Sequence, residues 1–430
     1  GVEWTIKRLK GLKVDLFRSK TGQPVLSWVR KNRRGEVAGV LGTLFRWSLK
    51  SEMNFSRVVQ AFMAYTFYIL PRLSESQEKK FRSAINPVKG DGLDERFHKS
   101  FANTVKRAVA RRTVVCDHRP LVTYSGNPSK KAPRLFGQRS VPQDTRILDE
   151  LQIFNTPGGH YLYSKYQELY KPLLLGSGRQ ELLDWIAGND NPTSSKPIHC
   201  GEIHFIQEPG GKLRSVASPL RIHQEALRPF GQELYRLIRS LPWDCTHSQM
   251  RAIPFIQSSL RLGRHVHSVD LSSATDHFPL SIQETALRAI FRKESWKSID
   301  LFIEISRGDW KSPLGILQWT KGQPLGLYPS FAAFTLTHGL LLLHLAGGDY
   351  HDQFFVVGDD VIILEDKLRD DYITMLDRMG CPWSEDKSIS SNELAEFAGK
   401  IVTKAMVIPQ LKWRQMSDDN FLDLCRLLGS

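Results

Sequence analysis

Residues 354–364 read Phe354-Phe355-Val356-Val357-Gly358-Asp359-Asp360-Val361-Ile362-Ile363-Leu364. Two short runs rich in β-branched and aromatic residues flank Gly-Asp-Asp, which predicts a hairpin with two carboxylates at its tip. Adjacent aspartates beside an apolar core are costly, because like charges repel and burial raises the pKa of each carboxyl group. A hard divalent cation such as Mg²⁺ removes that cost, since it prefers carboxylate oxygen. An ordinary Asp-bearing turn has the same sequence, so this stretch alone leaves both readings open.

A second acidic stretch lies upstream, Asp270-Leu271-Ser272-Ser273-Ala274-Thr275-Asp276. His265–Asp270 is predicted as a strand that ends on a carboxylate, able to stand beside the hairpin tip. One carboxylate from each strand would bridge two cations about 3.5–4 Å apart, the spacing that phosphoryl transfer uses. Asp276 lies one short loop further on and would reach the sugar of a nucleotide. It would also be favourable as a helix N-terminal carboxylate with no ligand at all. Ser281-Ile282-Gln283-Glu284 reads as a capping box opening a helix through about Arg292.

Between the acidic stretches runs Lys321-Gly322-Gln323-Pro324-Leu325-Gly326-Leu327-Tyr328-Pro329-Ser330-Phe331. Such a glycine-rich loop lets backbone approach a ribose-phosphate strand. Downstream, Lys367–Met379 is predicted as an amphipathic helix with Leu368, Tyr372, Met375, Leu376 and Met379 on one side and Gly380 as its stop. Lys387 follows it; returned toward the site, it would protonate a pyrophosphate leaving group, and otherwise it is a surface lysine. Further upstream, His204–Ile206 and Lys212–Ala217 flank Pro209-Gly210-Gly211 as a second hairpin. Lys212 and Arg214 are two apart and share a face. Paired cations of this kind suit a triphosphate; a solvated strand face is the plain alternative.

Charge is unevenly spread along the 430 residues, whose net charge is +14. Residues 1–140 hold 29 Lys+Arg against 10 Asp+Glu, and the remainder 30 against 35. The basic first third would attract a polyanion, with Arg30, Lys31, Arg33 and Arg34 clustered in one turn. A hydrophobic fraction of 41% excludes a mainly disordered chain. Five dispersed cysteines with no CxxC pair argue against a disulfide framework or a thiolate zinc site, and suit a reducing compartment. Val58–Leu70 and Phe331–Ala346 fall short of the roughly 20 apolar residues a membrane helix needs, so both are expected to be buried core helices. Residues 1–120 read as helices broken by basic turns. Joints are expected at 121–145 and Gly188–Pro197, and mixed short strands and longer helices after residue 200 indicate an α+β fold. Because the chain opens on Gly1, it is expected to be a piece or a processed product.

Taken in order, the basic hairpin, DLSSATD, GQPLGLYPSF, GDD, the lysine loop and Glu396-Phe397-Ala398-Gly399-Lys400 resemble the F–A–B–C–D–E motif series of viral RNA-dependent RNA polymerases. DLSSATD, GQPLG and Pro242-Trp243-Asp244-Cys245-Thr246 are similar to the polymerases of narna-, mito- and ourmia-like capsidless positive-strand viruses. The resemblance covers residues 200–410. It implies an α+β right hand of fingers, palm and partial thumb, with an antiparallel palm sheet. The implied division is a basic region and fingers over 1–200, fingers with the basic hairpin over 201–264, a palm over 265–404, and the start of a short or cut thumb over 405–430.

The resemblance also implies roles. Asp270 and Asp359 would hold two Mg²⁺ (or Mn²⁺) ions, with Asp360 in support. Lys212 and Arg214 would clamp the triphosphate of an NTP, with Arg221 as a further candidate. Asp276 and Ser330 would sense the 2′-hydroxyl beside Gly322 and Gln323. Lys387 would be the general acid, and Glu396 with Lys400 the grip on the RNA product strand. The basic turn Arg30, Lys31, Arg33 and Arg34 would bind RNA template. A monomer acting in the host cytoplasm or mitochondrion is expected. Pro329, where the family usually has Ser, and His338 as the remnant of a usual pair, are departures. A reverse transcriptase would share the palm, but a carboxylate at Asp276 accepts a hydrogen bond from the 2′-hydroxyl rather than excluding it. A non-catalytic RNA-binding relic is disfavoured because every expected ligand is present.

Overall fold

The structure, a computed structural model, describes residues 1–88, 90–115, 124–125, 141–142, 152–175 and 199–413. The expected joints lie outside these residues, apart from the short strand pair Tyr124–Ser125 with Val141–Pro142. Residues 414–430 of the expected thumb also lie outside them.

The basic first third is mostly helical where it is described. Helices α1 (Val2–Lys20), α2 (Gly39–Ser48) and α3 (Glu52–Phe62) precede α4 (Glu75–Ile85) and α5 (Glu95–Ala108). Ser51 and Ser74 cap α3 and α4 with their side chains, and Asp94 does the same for α5. The apolar run Val58–Leu70 is not one helix: α3 ends at Phe62, a 3-10 turn follows over Met63–Phe67, and Phe67 and Ile69 are exposed. Its aromatic and β-branched residues are weak helix formers, and Pro71 disfavours helix just before it. Helix α6 (Pro157–Leu175) follows.

Strands β1 (Gly201–Glu208) and β2 (Lys212–Pro219) form the expected basic hairpin around Pro209-Gly210-Gly211. Helices α7 (Arg221–Ser240) and α8 (Ile253–Arg261) then lead to strand β3 (Val266–Asp270). Helix α9 (Leu280–Ile290) starts earlier than expected, and no capping box forms. Pro279 is its N-cap, and Ser281, already inside the helix, donates to Asp91 Oδ2 at 2.7 Å instead. Glu284 turns along the helix to Arg288. Helix α10 (Trp296–Arg307) and strands β4 (Trp310–Ser312) and β5 (Gly315–Leu317) complete a sheet of order β2-β1-β4-β5.

Helix α11 (Ser330–Leu345) is apolar on all sides and buried nearly throughout, as such a helix must be. The Gly-Asp-Asp hairpin is β6 (Phe354–Val357) and β7 (Asp360–Ile363). Helix α12 (Asp366–Met379) buries all five expected residues and stops at Gly380, whose φ of 60° is left-handed. Strand β8 (Ile389–Ser391) joins a four-stranded sheet of order β8-β3-β7-β6, antiparallel throughout. Phe354, Val356, Val361 and Ile363 pack into one core and Phe355 and Ile362 into another, so the runs on β6 and β7 are apolar on both faces. Strands β9 (Leu394–Phe397), β10 (Lys400–Thr403) and β11 (Val407–Pro409) form a separate antiparallel sheet.

The first helices are not an appendage. Leu12, Leu16 and Phe17 of α1 and Phe55, Val58, Val59 and Phe62 of α3 share a core with Ile389, Leu394, Ile401 and Ile408. Residues near one end of the chain thus cover the last two sheets near the other.

Candidate active site

Register brings the carboxylates together. Asp270 at the end of β3 lies directly opposite Asp360 at the start of β7, so the two share a sheet face. Asp359 is in the turn beside them and exposed. The cross-strand pair is therefore Asp270 with Asp360, and Asp359 flanks it. Like charges opposite each other destabilise a sheet. Asp360 opens to the cavity, but protein surrounds that opening. Burial first, then the charges of Asp359, Glu396 and Asp270, push its carboxyl up to about 7.

The turn is held from behind. Gly358 has φ 61°, and a Cβ there would lie 2.9 Å from Phe331 Cε2. Its carbonyl sits 2.8 Å from His338 Nδ1, while His338 Nε2 is 2.6 Å from the Tyr372 hydroxyl. A carbonyl only accepts, so Nδ1 carries the proton and Nε2 accepts from Tyr372. A neutral ring meets both demands, and burial lowers its pKa to about 4. The sequence signal for this brace was a histidine, His338, in the middle of an apolar helix that carries a second, His344, near its end.

The lysine loop is fastened to β3. Ser384 N donates to Asp270 O at 2.8 Å, and Asp270 N donates to Ser388 Oγ at 3.1 Å. These bonds set Lys387 Nζ 3.0 Å from Asp270 Oδ2. A lysine with no local pattern around it thereby reaches the site.

A cavity of about 420 Å³ opens over this floor. Lys212, Arg214, Asp270, Asp360, Lys387 and Glu396 line it. Arg214 spends its guanidinium on Glu208, with Nε to Oε1 at 2.9 Å and an Nη to Oε2 at 3.3 Å. The side chain of Lys212 has no hydrogen bond or ion pair among the described residues. Glu396 faces Lys13 Nζ at 3.6 Å. Lys400 donates to Gln249 Oε1 at 2.7 Å, outside the cavity lining.

Other expected residues lie behind the cavity. Asp276 is buried and its Oδ1 accepts from Trp319 Nε1 at 2.8 Å. Burial raises its carboxyl to about 6, and the Trp319 bond opposes that. Gly322 packs on the Thr275–Asp276 backbone, where a Cβ would meet Thr275 O at 2.2 Å. Gln323 N donates to Thr275 O at 2.9 Å, and its side chain donates to Gln283 Oε1 at 2.9 Å. Ser330 is buried and donates to Pro324 O at 3.0 Å. Arg221 is the first residue of α7, and neither it nor the exposed turn Arg30, Lys31, Arg33 and Arg34 lines the cavity. The sequence reading missed Lys10, Lys13 and Arg18 of α1, which do line it. Only a weak basic amphipathic pattern marked them.

Asp270, Asp359 and Asp360 offer hard carboxylate oxygens, and Glu396 adds like charge that drives Asp360 upward. That donor chemistry fits divalent cations, and the Lys387 ammonium already provides a positive charge at Asp270. Among the described residues no group of three or more His, Cys, Asp or Glu converges on a single metal position.

An antiparallel sheet carrying Asp270, the Gly-Asp-Asp turn, and two helices behind it defines the palm of a right-hand polymerase. A crystal structure of an insertion-loop deletion mutant of the RNA-dependent RNA polymerase of a human picorbirnavirus superposes with a TM-score of 0.55, at 13% identity over 89% of this chain and 76% of that one. Residues 146–420 match the family described as Mitovirus RNA-dependent RNA polymerase, and the chain belongs to that family. The RNA-directed RNA polymerase of Cryphonectria parasitica mitovirus 1 is 29% identical over 209 residues, 47% of this chain and 25% of that protein. An uncharacterized mitochondrial protein of Arabidopsis thaliana is 29% identical over 181 residues, 40% of this chain and 71% of that protein. The match thus spans a quarter of the viral relative's length.

Proposed function

We propose that this protein copies RNA into RNA, adding nucleoside triphosphates to the 3′ end of a growing strand. The observation that carries the reading is the register pairing of Asp270 with Asp360 at the floor of a cavity walled by lysines. Family membership supports it. Asp270, Asp359 and Asp360 would hold two Mg²⁺ (or Mn²⁺) ions, which when bound supply Lewis-acid charge at the α-phosphate and favour the 3′-oxyanion. Lys212 receives the phosphate tail. Lys387, held at Asp270, protonates the leaving pyrophosphate. Arg214 positions the hairpin through Glu208, and Glu396 faces the product strand from β9. Asp276 and Ser330 fix the floor of the sugar pocket from within. The basic turn Arg30–Arg34 and Lys400 contact RNA away from the reacting atoms. The residues up to 264 act mainly as fingers and the 265–404 stretch as palm.

Among the described residues no helix is long and apolar enough to cross a membrane. The mitochondrial relative favours a mitochondrial site of action over the cytoplasm.

The test is incorporation on a primed RNA template with Mg²⁺, using ribo- and deoxynucleotides. Ribonucleotides are expected to be incorporated, and Asp359→Asn is expected to abolish this with no change in melting temperature. Activity retained in Asp359→Asn would sink the metal assignment. Deoxynucleotide preference would make the chain a reverse transcriptase, and RNA binding without incorporation would make it a binding protein.

A further inference from the structure

One wall of the cavity comes from α1, some two hundred residues before the hairpin it touches. Lys10 Nζ donates to Gly210 O at 2.6 Å and lies 5.3 Å from the centre of the Tyr65 ring. The hairpin tip is shaped for this approach. Gly210 has φ 78°, and a Cβ there would fall 2.7 Å from Tyr65 Cε2. Gly210 N donates to Tyr68 O at 2.8 Å, and Gln77 Nε2 donates to Gly211 O at 3.2 Å. The tip is thus seated in the N-terminal helices rather than projecting into solvent.

The cations of this wall differ in what they have left to offer. Arg214 is forked on Glu208, Lys387 is paired with Asp270, and Lys13 is shared between Glu396 and Gln410. Lys10 has no carboxylate partner among the described residues, and its one hydrogen-bond acceptor is a neutral carbonyl. An ammonium has three donors, so two remain. We propose that Lys10, together with Lys212, receives the terminal phosphates of the incoming nucleoside triphosphate, beside the Arg214 guanidinium that Glu208 holds. This deepens the polymerase reading and rests on it. Burial, then the charges of Lys387, Lys13, Lys212 and Lys80, lower the Lys10 pKa to about 8. An entering polyanion would relieve the crowding of like charge around Lys10, which has no carboxylate of its own among the described residues.

Binding tests the proposal without turnover, so its failure is separable from failure to incorporate nucleotide. Calorimetric titration of the full chain would compare a nucleoside triphosphate, inorganic pyrophosphate, a nucleoside monophosphate and single-stranded RNA. Lys10→Gln keeps a donor for Gly210 O and removes the charge. It is expected to weaken triphosphate and pyrophosphate binding about ten-fold, the worth of one charge-assisted hydrogen bond, and to spare the monophosphate. Lys10→Arg is expected to restore most of the loss. In the unaltered chain, pyrophosphate is expected to protect Lys10 from amine acylation, a readout that needs no variant to fold. Unchanged acylation would overturn the proposal. So would triphosphate binding equal in Lys10→Gln, no preference of the unaltered chain for triphosphate over monophosphate, or a loss confined to RNA.

Discussion

Asp276 illustrates how a residue's type and its setting diverge. Its carboxylate is sealed behind the cavity, bonded to Trp319, with its pKa raised from 3.8 to about 6. A raised acid pKa means folding disfavours the ionised form. The contribution is fully present below pH 4 and is lost as pH rises through 6. Asp276→Asn keeps an oxygen for the Trp319 N–H and cannot ionise. It is expected to match the unaltered protein at pH 4 and exceed it at pH 7 by a few kcal/mol, on the order of 2–3. Denaturant unfolding at the two pH values measures this, and a pH-independent difference would refute it. The sequence marked Asp276 by its spacing from Asp270. Nothing local announced Trp319, 43 residues away, as its partner.

At the scale of elements, the glycine-rich loop and the Asp270–Asp276 loop form one object. Gly322 backs onto Thr275 O and Asp276 O at distances that leave no room for a methyl group. Gly322→Ala must push the loops apart and break the Gln323 N to Thr275 O bond. A loss of about 1–3 kcal/mol is expected, with a rise in KM for nucleotide, since Gly322 backs the loop that follows Asp270. Gly11→Ala is the contrasting case. That glycine lies inside α1, and its Cβ would meet only Ser27 Cβ at an ordinary 3.5 Å. The change is expected to stabilise by up to about 1 kcal/mol. Thermal melts of the two variants should move in opposite directions. Strands and helices of the palm were legible because alternation, a turn glycine and an apolar stripe are local signals. The missing capping box at Ser281 shows the limit: Pro279 and Asp91 had stronger claims on the helix start and on the hydroxyl.

For the whole molecule, the decisive feature is closure of the chain on itself. Phe55 of α3 is fully buried in a core that includes Ile389, Leu394, Ile401 and Ile408. Trp413 Nε1 donates to Gln60 O at 2.9 Å, and Lys13 reaches Gln410 and Glu396. The first helices and the last sheets should therefore open as one unit. Phe55→Ala is expected to cost about 3–5 kcal/mol. Hydrogen exchange should then lose protection in Leu394–Thr403 together with α3, while α11 stays protected. Loss confined to α3 would show that the two ends are independent.

Motif order, turn chemistry and hydrophobic period were enough to establish the palm, its Gly-Asp-Asp hairpin and the residues that carry charge there. Each is written within a few residues of the feature it specifies. Three matters were settled only in three dimensions: which aspartate faces Asp270, which cation Glu208 occupies, and which helix closes the cavity. Register pairs residues 90 positions apart, and the Lys10 contact with the hairpin tip spans 200. Such contacts arise because apolar faces far apart in the chain need a common core, and the polar groups they carry along then find partners that no local pattern names.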